Sequence, residues 1–273
     1  MSTAPHLTFV VPIRHPQNAR DWALEKANLA RTARSIAGQT APGWRAVVVA
    51  NEGADLPPLP AGFEVARVNH PPNPGHDLVK TDRQAAWAVF RRDKGRRVAD
   101  GLRAAGASRY FMIVDGDDLV SNRLSAHVLE NDGANGWVFE SGWCLDADGR
   151  FAMKLTERFE KVCGTSHILR ADLFALPEPE TPGYWERVEL MLGSHVRVAG
   201  QVAQEGRPIA PLPFPGAAYL VGHANAHSLS RGVLRRYFLN GNLVRQPAAT
   251  LGQLRHLHRV GPAFRQEFMG APD

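Results

Sequence analysis

Three carboxylates follow directly on an apolar run near the middle of the chain. The run covers residues 111–114, and Asp115, Gly116, Asp117 and Asp118 come next. Like charges at this spacing repel one another, and a cation among them favours their ionised forms. The apolar run is typical of a buried strand, and open α/β sheets bind their ligands at the carboxyl ends of strands. The sequence therefore predicts a cation site at the end of a buried strand.

The elements that must position this cluster alternate along the first half of the chain. Two apolar runs indicate strands at 7–13 and 46–50, and a third strand is expected at 63–68. Two periodic segments indicate helices at 21–37 and 81–105. Gly95 is a point at which the second helix could divide. Continuous apolar strands alternating with helices predict a doubly wound α/β half, with a parallel sheet covered on both faces.

The second half is more mixed. Residues 137–140 and 150–153 flank the acidic stretch 146–149, which predicts a hairpin turn. The segment from 230 to 268 is basic and is predicted to be helical. We therefore expect a nucleotide-binding and catalytic domain over residues 1–230, with a C-terminal helical extension over residues 231–273.

Composition excludes several classes of protein. Among 273 residues, 32 Lys and Arg against 27 Asp and Glu give a net charge of +5. This mild excess favours anionic small ligands or an anionic membrane surface and is too small to predict nucleic-acid binding. Cys144 and Cys163 have no metal-ligand spacing, which suggests a reducing compartment. No signal-peptide pattern or membrane-length apolar run occurs, so we expect a cytoplasmic protein, with attachment to a membrane surface left open.

Four segments occur in a suggestive order along the chain. They are Phe9-Val10-Val11-Pro12, Ser35-Ile36-Ala37-Gly38-Gln39-Thr40, the strand 46–50 with Asn51, and Val114-Asp115-Gly116-Asp117-Asp118. This order resembles the family 2 glycosyltransferases with the GT-A fold, over roughly residues 7–230. The resemblance implies a Rossmann-like, mixed and mostly parallel sheet flanked by helices.

The resemblance also implies how a nucleotide would be bound. The end of the first strand looks like the segment under the base, and Asn51 with Glu52 stands where the family places an acidic residue that contacts uracil. The basic stretch 94–97 resembles the family's basic segment near the nucleotide, and Asp115 would contact the ribose. The residues implied in nucleotide binding are Pro12, Ile13, Arg14, Asn51, Glu52, Lys94, Arg97, Asp115, Gly116 and Asp117.

A divalent cation is the cofactor that the resemblance implies. Asp117, with Asp118, would ligate Mn²⁺ or Mg²⁺, because oxygen ligands suit both ions. In the family a late histidine often reaches the metal, and His223 or His227 stands in that region. Spacing does not choose between the two.

The catalytic base has three candidates. Family members that invert the anomeric carbon carry an acidic pair followed by an apolar helix, and residues 184–197 resemble that region. Arg187 replaces the second acid of the pair, whereas Glu186 and Glu189 are three positions apart and share a helix face. Glu189 is preferred narrowly over Glu186, and His195 is the third candidate.

The function implied is a metal-dependent hexosyltransferase. It would move a sugar from a nucleotide-sugar donor, a UDP-sugar, to a saccharide or lipid-linked hydroxyl acceptor with inversion. The basic C-terminal segment could contact a membrane peripherally, pack on the core or form a homodimer contact. Two alternatives remain open: a nucleotidyltransferase of sugar metabolism, and a catalytically degenerate domain that binds sugar nucleotides.

Overall fold

The computed structural model describes residues 4–75, 82–222, 232–238 and 247–270. Its helices and strands follow the alternation expected from the sequence in the first half of the chain. The helices are α1 (Trp22–Ala37), α2 (Arg83–Ala105), α3 (Leu124–Glu130), α4 (Tyr184–Met191), α5 (Val198–Gln204), α6 (Val233–Tyr237), α7 (Pro247–Gly252) and α8 (Pro262–Phe268). The strands are β1 (Leu7–Pro12), β2 (Trp44–Asn51), β3 (Phe63–Val68), β4 (Tyr110–Ile113), β5 (Leu119–Val120), β6 (Gly136–Val138), β7 (Gly142–Asp146), β8 (Phe151–Leu155), β9 (His167–Arg170), β10 (Ala210–Pro211), β11 (Ala217–Val221) and β12 (Leu257–Arg259).

A seven-stranded sheet forms the centre, in the order β10-β6-β9-β4-β1-β2-β3. The pairs β1–β2, β1–β4, β2–β3 and β6–β10 are parallel, and only β9 runs antiparallel to its neighbours β4 and β6. The mixed, mostly parallel sheet flanked by helices is therefore confirmed. The chain leaves β1 on one side through β2 and β3 and returns on the other side with β4. The carboxyl ends of β1 and β4 thus form a topological switch point, where open sheets bind ligands.

Both faces of this sheet are covered. Along β1, Phe9 packs into the same apolar cluster as Leu29 of α1, whereas Val10 faces the opposite way and packs with Val98 of α2. This alternation follows from the two-residue period of a strand. The continuous apolar sequences of β1 and β2 are explained by burial on both sides.

Helix α1 begins where its capping residue predicts. The Asp21 side chain accepts a hydrogen bond from the Leu24 amide at 3.0 Å, and Gly38 is the C-cap residue. Two hydroxyls on its buried face then reach the chain beyond β4. Thr32 Oγ1 donates to the carbonyl of Asp118 at 2.8 Å, and Ser35 Oγ donates to the carbonyl of Val120 at 2.9 Å. The helix therefore fixes the loop that carries the acidic cluster.

Helix α2 runs unbroken through Gly95, so the expected division at this residue is wrong. Gly95 instead lies where α2 packs tightly against α4. A Cβ there would lie 2.8 Å from Val188 Cγ1 and 3.2 Å from the amide nitrogen of Gly193. The glycine is required by packing between helices, which a local pattern cannot distinguish from a helix break.

The predicted hairpin is half correct. Its turn at 146–149 exists, closed by the Gly149 amide donating to the Asp146 carbonyl at 2.8 Å. However, the strand that pairs with β8 is β7, whereas β6 belongs to the central sheet. The strands β12, β8, β7, β11 and β5 form a second sheet in that order.

The C-terminal segment contains α6, α7 and α8 and also the strand β12, which pairs antiparallel with β8. Helix α8 is tied to the loop after β5, because Ser121 Oγ donates to Glu267 Oε1 at 2.7 Å. The boundary expected between residues 230 and 231 lies outside the described residues, so the division into a domain and an extension stays a prediction. Within the described part of the chain, no helix has the length and apolar character that a membrane crossing requires.

Replacing Gly95 by alanine is expected to destabilise the protein, although alanine is the better helix former. The new Cβ would lie 3.0 Å from the Val188 carbonyl oxygen, a backbone atom that cannot move without shifting α4. We expect the free energy of unfolding, measured by urea denaturation, to fall by about 1–3 kcal/mol.

The matched control is Gly200→Ala in α5, where a Cβ would meet no atom within 4 Å. This substitution is expected to raise the free energy of unfolding by up to about 1 kcal/mol, the difference in helix propensity. A stabilising effect at both positions would contradict the packing role of Gly95.

Candidate functional site

A cavity of about 290 Å³ opens at the carboxyl ends of β1 and β4. One of its walls is the face of α2 that presents residues from 87 to 97, and the loop after α4 contributes another part. Most of the predicted site residues line it: Pro12, Ile13, Arg14, Lys94, Arg97, Asp115, Gly116, Asp117 and His195. The structure therefore gathers into one cavity residues that are about 180 positions apart in the sequence.

The three acids of the cluster occupy different environments. Asp115 and Asp117 line the cavity, whereas Asp118 points inward and is fully buried. Asp118 Oδ2 accepts hydrogen bonds from Thr165 Oγ1 at 2.6 Å and from Cys163 Sγ at 3.2 Å, and Oδ1 accepts from the Leu220 amide at 3.3 Å. The structure does not bring Asp118, predicted as a metal ligand, to the cavity wall.

Burial raises the pKa of Asp118 well above its ordinary value, and the charges of Asp117 and Asp115 raise it further. The hydrogen bonds from Thr165 and Cys163 act in the opposite direction. Thr165 also joins the buried acid to the cavity, because its Oγ1 accepts a hydrogen bond from the Asp115 amide at 2.9 Å. Asp118 thus shapes the loop from which Asp115 and Asp117 reach the cavity.

Lys94 of α2 forms an ion pair with Asp115. Burial disfavours charge on Lys94, but the carboxylates of Asp115 and Asp118 outweigh this effect, and the pKa of Lys94 lies above its ordinary value. Gly164 makes the contact possible, because a Cβ there would overlap Asp115 Oδ2 and lie 2.9 Å from Lys94 Nζ. Lys94 therefore presents a firmly protonated amine beside the acidic loop.

Arg97 is a second basic residue that α2 contributes to the cavity wall. Its guanidinium is almost completely buried, and Nη1 donates to Asn51 Oδ1 at 2.7 Å while Nε donates to Asp93 Oδ2 at 3.1 Å. Asn51 is buried behind Arg97 and does not line the cavity. Glu52 is exposed and also lies off the cavity wall. The end of β2 therefore reaches the cavity through Arg97.

His195 lies on the loop after α4 and lines the cavity. Burial lowers the pKa of His195, and the charge of Lys94 lowers it further, whereas Asp115 and a hydrogen bond with the Lys161 backbone oppose the shift. The imidazole is therefore neutral near pH 7. A neutral imidazole with one nitrogen held by the backbone can accept a proton at the other.

Two of the predicted bases, Glu186 and Glu189, are not brought to this cavity. Glu186 is exposed on α4 and Glu189 is partly buried, and neither lines the cavity, because α4 packs its other face on α2. His223 and His227 lie outside the described residues. Within the described part of the chain, no group of three or more His, Cys, Asp or Glu side chains could hold a metal ion.

Several cavity residues were not foreseen from the sequence. The aromatic rings of Trp87 and Phe90 meet edge to face at 6.0 Å, and both line the cavity beside Asp93. They share a helix face with Lys94 and Arg97, because residues three or four apart on a helix lie on the same side. Their spacing from the predicted basic residues would therefore have placed them at the cavity. Asn18 and Asn73 also line the cavity, and Asn18 Nδ2 donates to the Asn73 carbonyl at 2.9 Å while Asn18 Oδ1 accepts from the Asn73 amide at 2.7 Å.

No protein-family model and no curated protein matches the sequence. Similar solved structures include TarS from S. aureus, which is 13% identical over 79% of this chain with a TM-score of 0.44. They also include the mannosyltransferase PcManGT from Pyrobaculum calidifontis in complex with GDP-Man and Mn²⁺, 13% identical over 96% of this chain with a TM-score of 0.41.

The chain spans 37% of the TarS chain, 60% of a TarS structure covering its residues 1–349, and 68% of the PcManGT chain.

Replacing Gly164 by alanine is expected to separate Lys94 from Asp115. The atoms that a Cβ would displace are the flexible ends of these two side chains, so the fold should be retained. The pKa of Lys94 is then expected to fall, because burial acts without the neighbouring carboxylate. An NMR titration of the lysine side chains measures the change, with Lys94→Arg to assign the signal.

Gly200→Ala, an alanine in open space, is the control and should leave the Lys94 titration unchanged. An unaltered Lys94 pKa in a folded Gly164→Ala protein would show that the ion pair does not depend on the missing Cβ.

Proposed function

We propose that the protein is a metal-dependent glycosyltransferase that moves a sugar from a nucleotide-sugar donor to a hydroxyl acceptor. The observation that supports this most is the joint placement of Asp115 and Asp117 with Arg14, Lys94 and Arg97 around one cavity. A nucleoside diphosphate carrying a divalent cation requires carboxylates for the cation and basic groups for the phosphates. The cavity's position at the switch point of the sheet supports the same proposal.

The residues present fit a divalent cation that is shared with a diphosphate. Asp115 and Asp117 would hold it, because they are the members of the cluster that reach the cavity. Mn²⁺ or Mg²⁺ held partly by phosphate oxygens and water needs few protein ligands. When bound, the cation would neutralise the charge that develops on the diphosphate leaving group.

The basic side chains orient the donor. Arg97 and the end of β1 both line the cavity, which suits the base, and Lys94 lies beside the acidic loop, which suits the diphosphate. Arg14 is held at the cavity by Glu25, with 3.1 Å between Nε and Oε1. A UDP-sugar remains the proposed donor, as the resemblance to family 2 enzymes implies.

His195 is our proposed general base. It lines the cavity and is neutral near pH 7, whereas Glu186 and Glu189 do not reach the cavity. A base that deprotonates the acceptor hydroxyl directly is consistent with inversion by a single displacement. Such a base contributes roughly 10²–10⁴-fold to the rate.

The acceptor side is proposed from the aromatic wall. Trp87 is 42% exposed and lines the cavity with Phe90, and such rings stack on apolar sugar faces. A saccharide or lipid-linked acceptor therefore suits the site.

Peripheral membrane contact is also proposed, since Leu251 and Leu254 are 56% and 48% exposed next to Arg255.

The second candidate is a domain that binds a sugar nucleotide without turning it over. The distance of Glu186 and Glu189 from the cavity favours this candidate, because the region expected to supply the base then contributes no acid. The two candidates share the donor site and differ in catalysis, so one set of measurements can separate them.

Binding and turnover of nucleotide sugars test the proposal. We expect UDP-sugars with Mn²⁺ to raise the melting temperature of the protein, because ligands that bind the native state stabilise it. With a hydroxyl acceptor, UDP should be released. Asp117→Ala should abolish the Mn²⁺-dependent part of the shift and UDP release, since it removes one of the two carboxylates proposed to hold the cation.

The matched control is Asp132→Ala, which removes a carboxylate paired with Arg109 away from the cavity. It should keep the ligand-induced shift. A screen of UDP- and GDP-sugars without any shift would refute the proposal, and binding without release for any acceptor would favour the non-catalytic candidate.

The pH dependence tests His195 as the base. Because its pKa is below the ordinary value of 6.5, the neutral form prevails above that pH and is lost on acidification. Turnover should therefore rise with pH and reach half of its maximum below pH 6.5. His195→Gln should lower turnover by roughly 10²–10⁴-fold and remove this acid limb.

His258→Gln, an exposed histidine on β12, is the control and should keep the full profile. An acid limb that persists unchanged in His195→Gln would assign the base to another group.

A further inference from the structure

We propose that Asp93 and Arg97, neighbours on α2, recognise the base of the donor nucleotide. Together they select a base that has a ring N–H next to a carbonyl, as uracil and guanine do. This inference rests on the proposed function, because it concerns the donor bound in the same cavity. It assigns to α2 the recognition that the resemblance to family 2 enzymes places at the end of β2.

Arg97 offers a hydrogen-bond donor that no described residue uses. Its side chain is 2% exposed, and Nε and Nη1 are occupied by Asp93 and Asn51. Its Nη2 is buried and has no hydrogen-bond partner among the described residues, although Arg97 lines the cavity. Buried donors are rarely left unsatisfied, so a carbonyl oxygen of the ligand is a fitting partner.

Asp93 supplies an acceptor next to this donor. The two residues are four positions apart on one helix and form an ion pair, so their orientation is fixed. The carboxylate oxygens of Asp93 accept from Arg97 Nε at 3.1 Å and from Arg96 Nη2 at 3.0 Å. Each carboxylate oxygen has two lone pairs, so capacity remains for a ligand N–H, and Asp93 lines the cavity.

The end of β2 cannot supply that acceptor. Asn51 Oδ1 accepts from Arg97, and Asn51 Nδ2 donates to the carbonyl of His70 at 2.7 Å. Its amide is therefore held in place as a support for Arg97, away from the cavity wall. Glu52 is exposed and does not line the cavity. The carboxylate nearest to Arg97 on the cavity wall is that of Asp93.

The pair has a defined chemical preference. A carboxylate beside a guanidinium matches a ring N–H beside a carbonyl, the pattern of uracil and guanine. In the proposed orientation the ring nitrogen of the base faces Asp93 and its exocyclic group faces Arg97. Cytosine and adenine would then present an acceptor nitrogen to the carboxylate and an amino donor to the guanidinium, so neither hydrogen bond would form. Selectivity arises because these mismatched groups lose their hydrogen bonds to water without replacement.

Calorimetric titrations of the full chain with UDP, GDP, CDP and ADP in the presence of Mn²⁺ test the inference. UDP and GDP should bind at least about tenfold more tightly than CDP and ADP, the effect of one hydrogen bond to a charged group. The 3-methyl derivative of UDP, which lacks the ring N–H, should lose at least about tenfold on the unaltered protein.

Asp93→Asn should reduce the preference for UDP over CDP, whereas Asp132→Asn, on the far pair with Arg109, should keep it. CDP or ADP binding as tightly as UDP, or 3-methyl-UDP binding as tightly as UDP, would overturn the inference and leave the proposed function standing. Failure of all four diphosphates to bind would overturn the proposed function, and the inference with it.

Discussion

The cavity depends on the burial of one carboxyl group, that of Asp118. Placing an acid in the interior is costly unless hydrogen bonds satisfy it, and here Thr165 and the Leu220 amide do so. The Asp118 carbonyl accepts from Thr32 of α1 as well. One residue thereby connects α1, the loop before β9 and the strand β11 of the second sheet. The position of Asp117 at the cavity follows from this anchorage.

The burial of Asp118 gives three acids that look equivalent in the sequence three different environments. Asp115 is neutralised by Lys94, and Asp117 lines the cavity, while Asp118 is the group whose pKa is raised well above its ordinary value. Environments that separate the pKa values of neighbouring acids give those acids different roles. The repulsion within the cluster is therefore relieved without a cation, by the basic partner of Asp115 and by the raised pKa of the buried Asp118.

The sequence predicted those features that depend on local pattern. Burial on both faces makes β1 and β2 continuous apolar runs, and the acidic cluster necessarily follows β4. The sequence could not predict features that depend on contacts between elements distant along the chain. Two examples are the packing of Gly95 against α4 and the pairing of β6 within the central sheet. The same holds for Glu189, whose helix was recognised, although its pattern does not reveal which neighbour α4 packs against.

The unbroken course of α2 has a consequence for how ligands can vary. At about 1.5 Å per residue, Phe90 and Arg97 are held about 10 Å apart along a rigid axis. The part of the α2 wall from Asp93 to Arg97 is therefore suited to the constant part of a ligand, such as a nucleoside. Gly164 and His195 lie outside helices and strands, where insertions and substitutions are tolerated best. New sugars could then be accommodated through these loops while the helix proposed to contact the nucleotide stays unchanged.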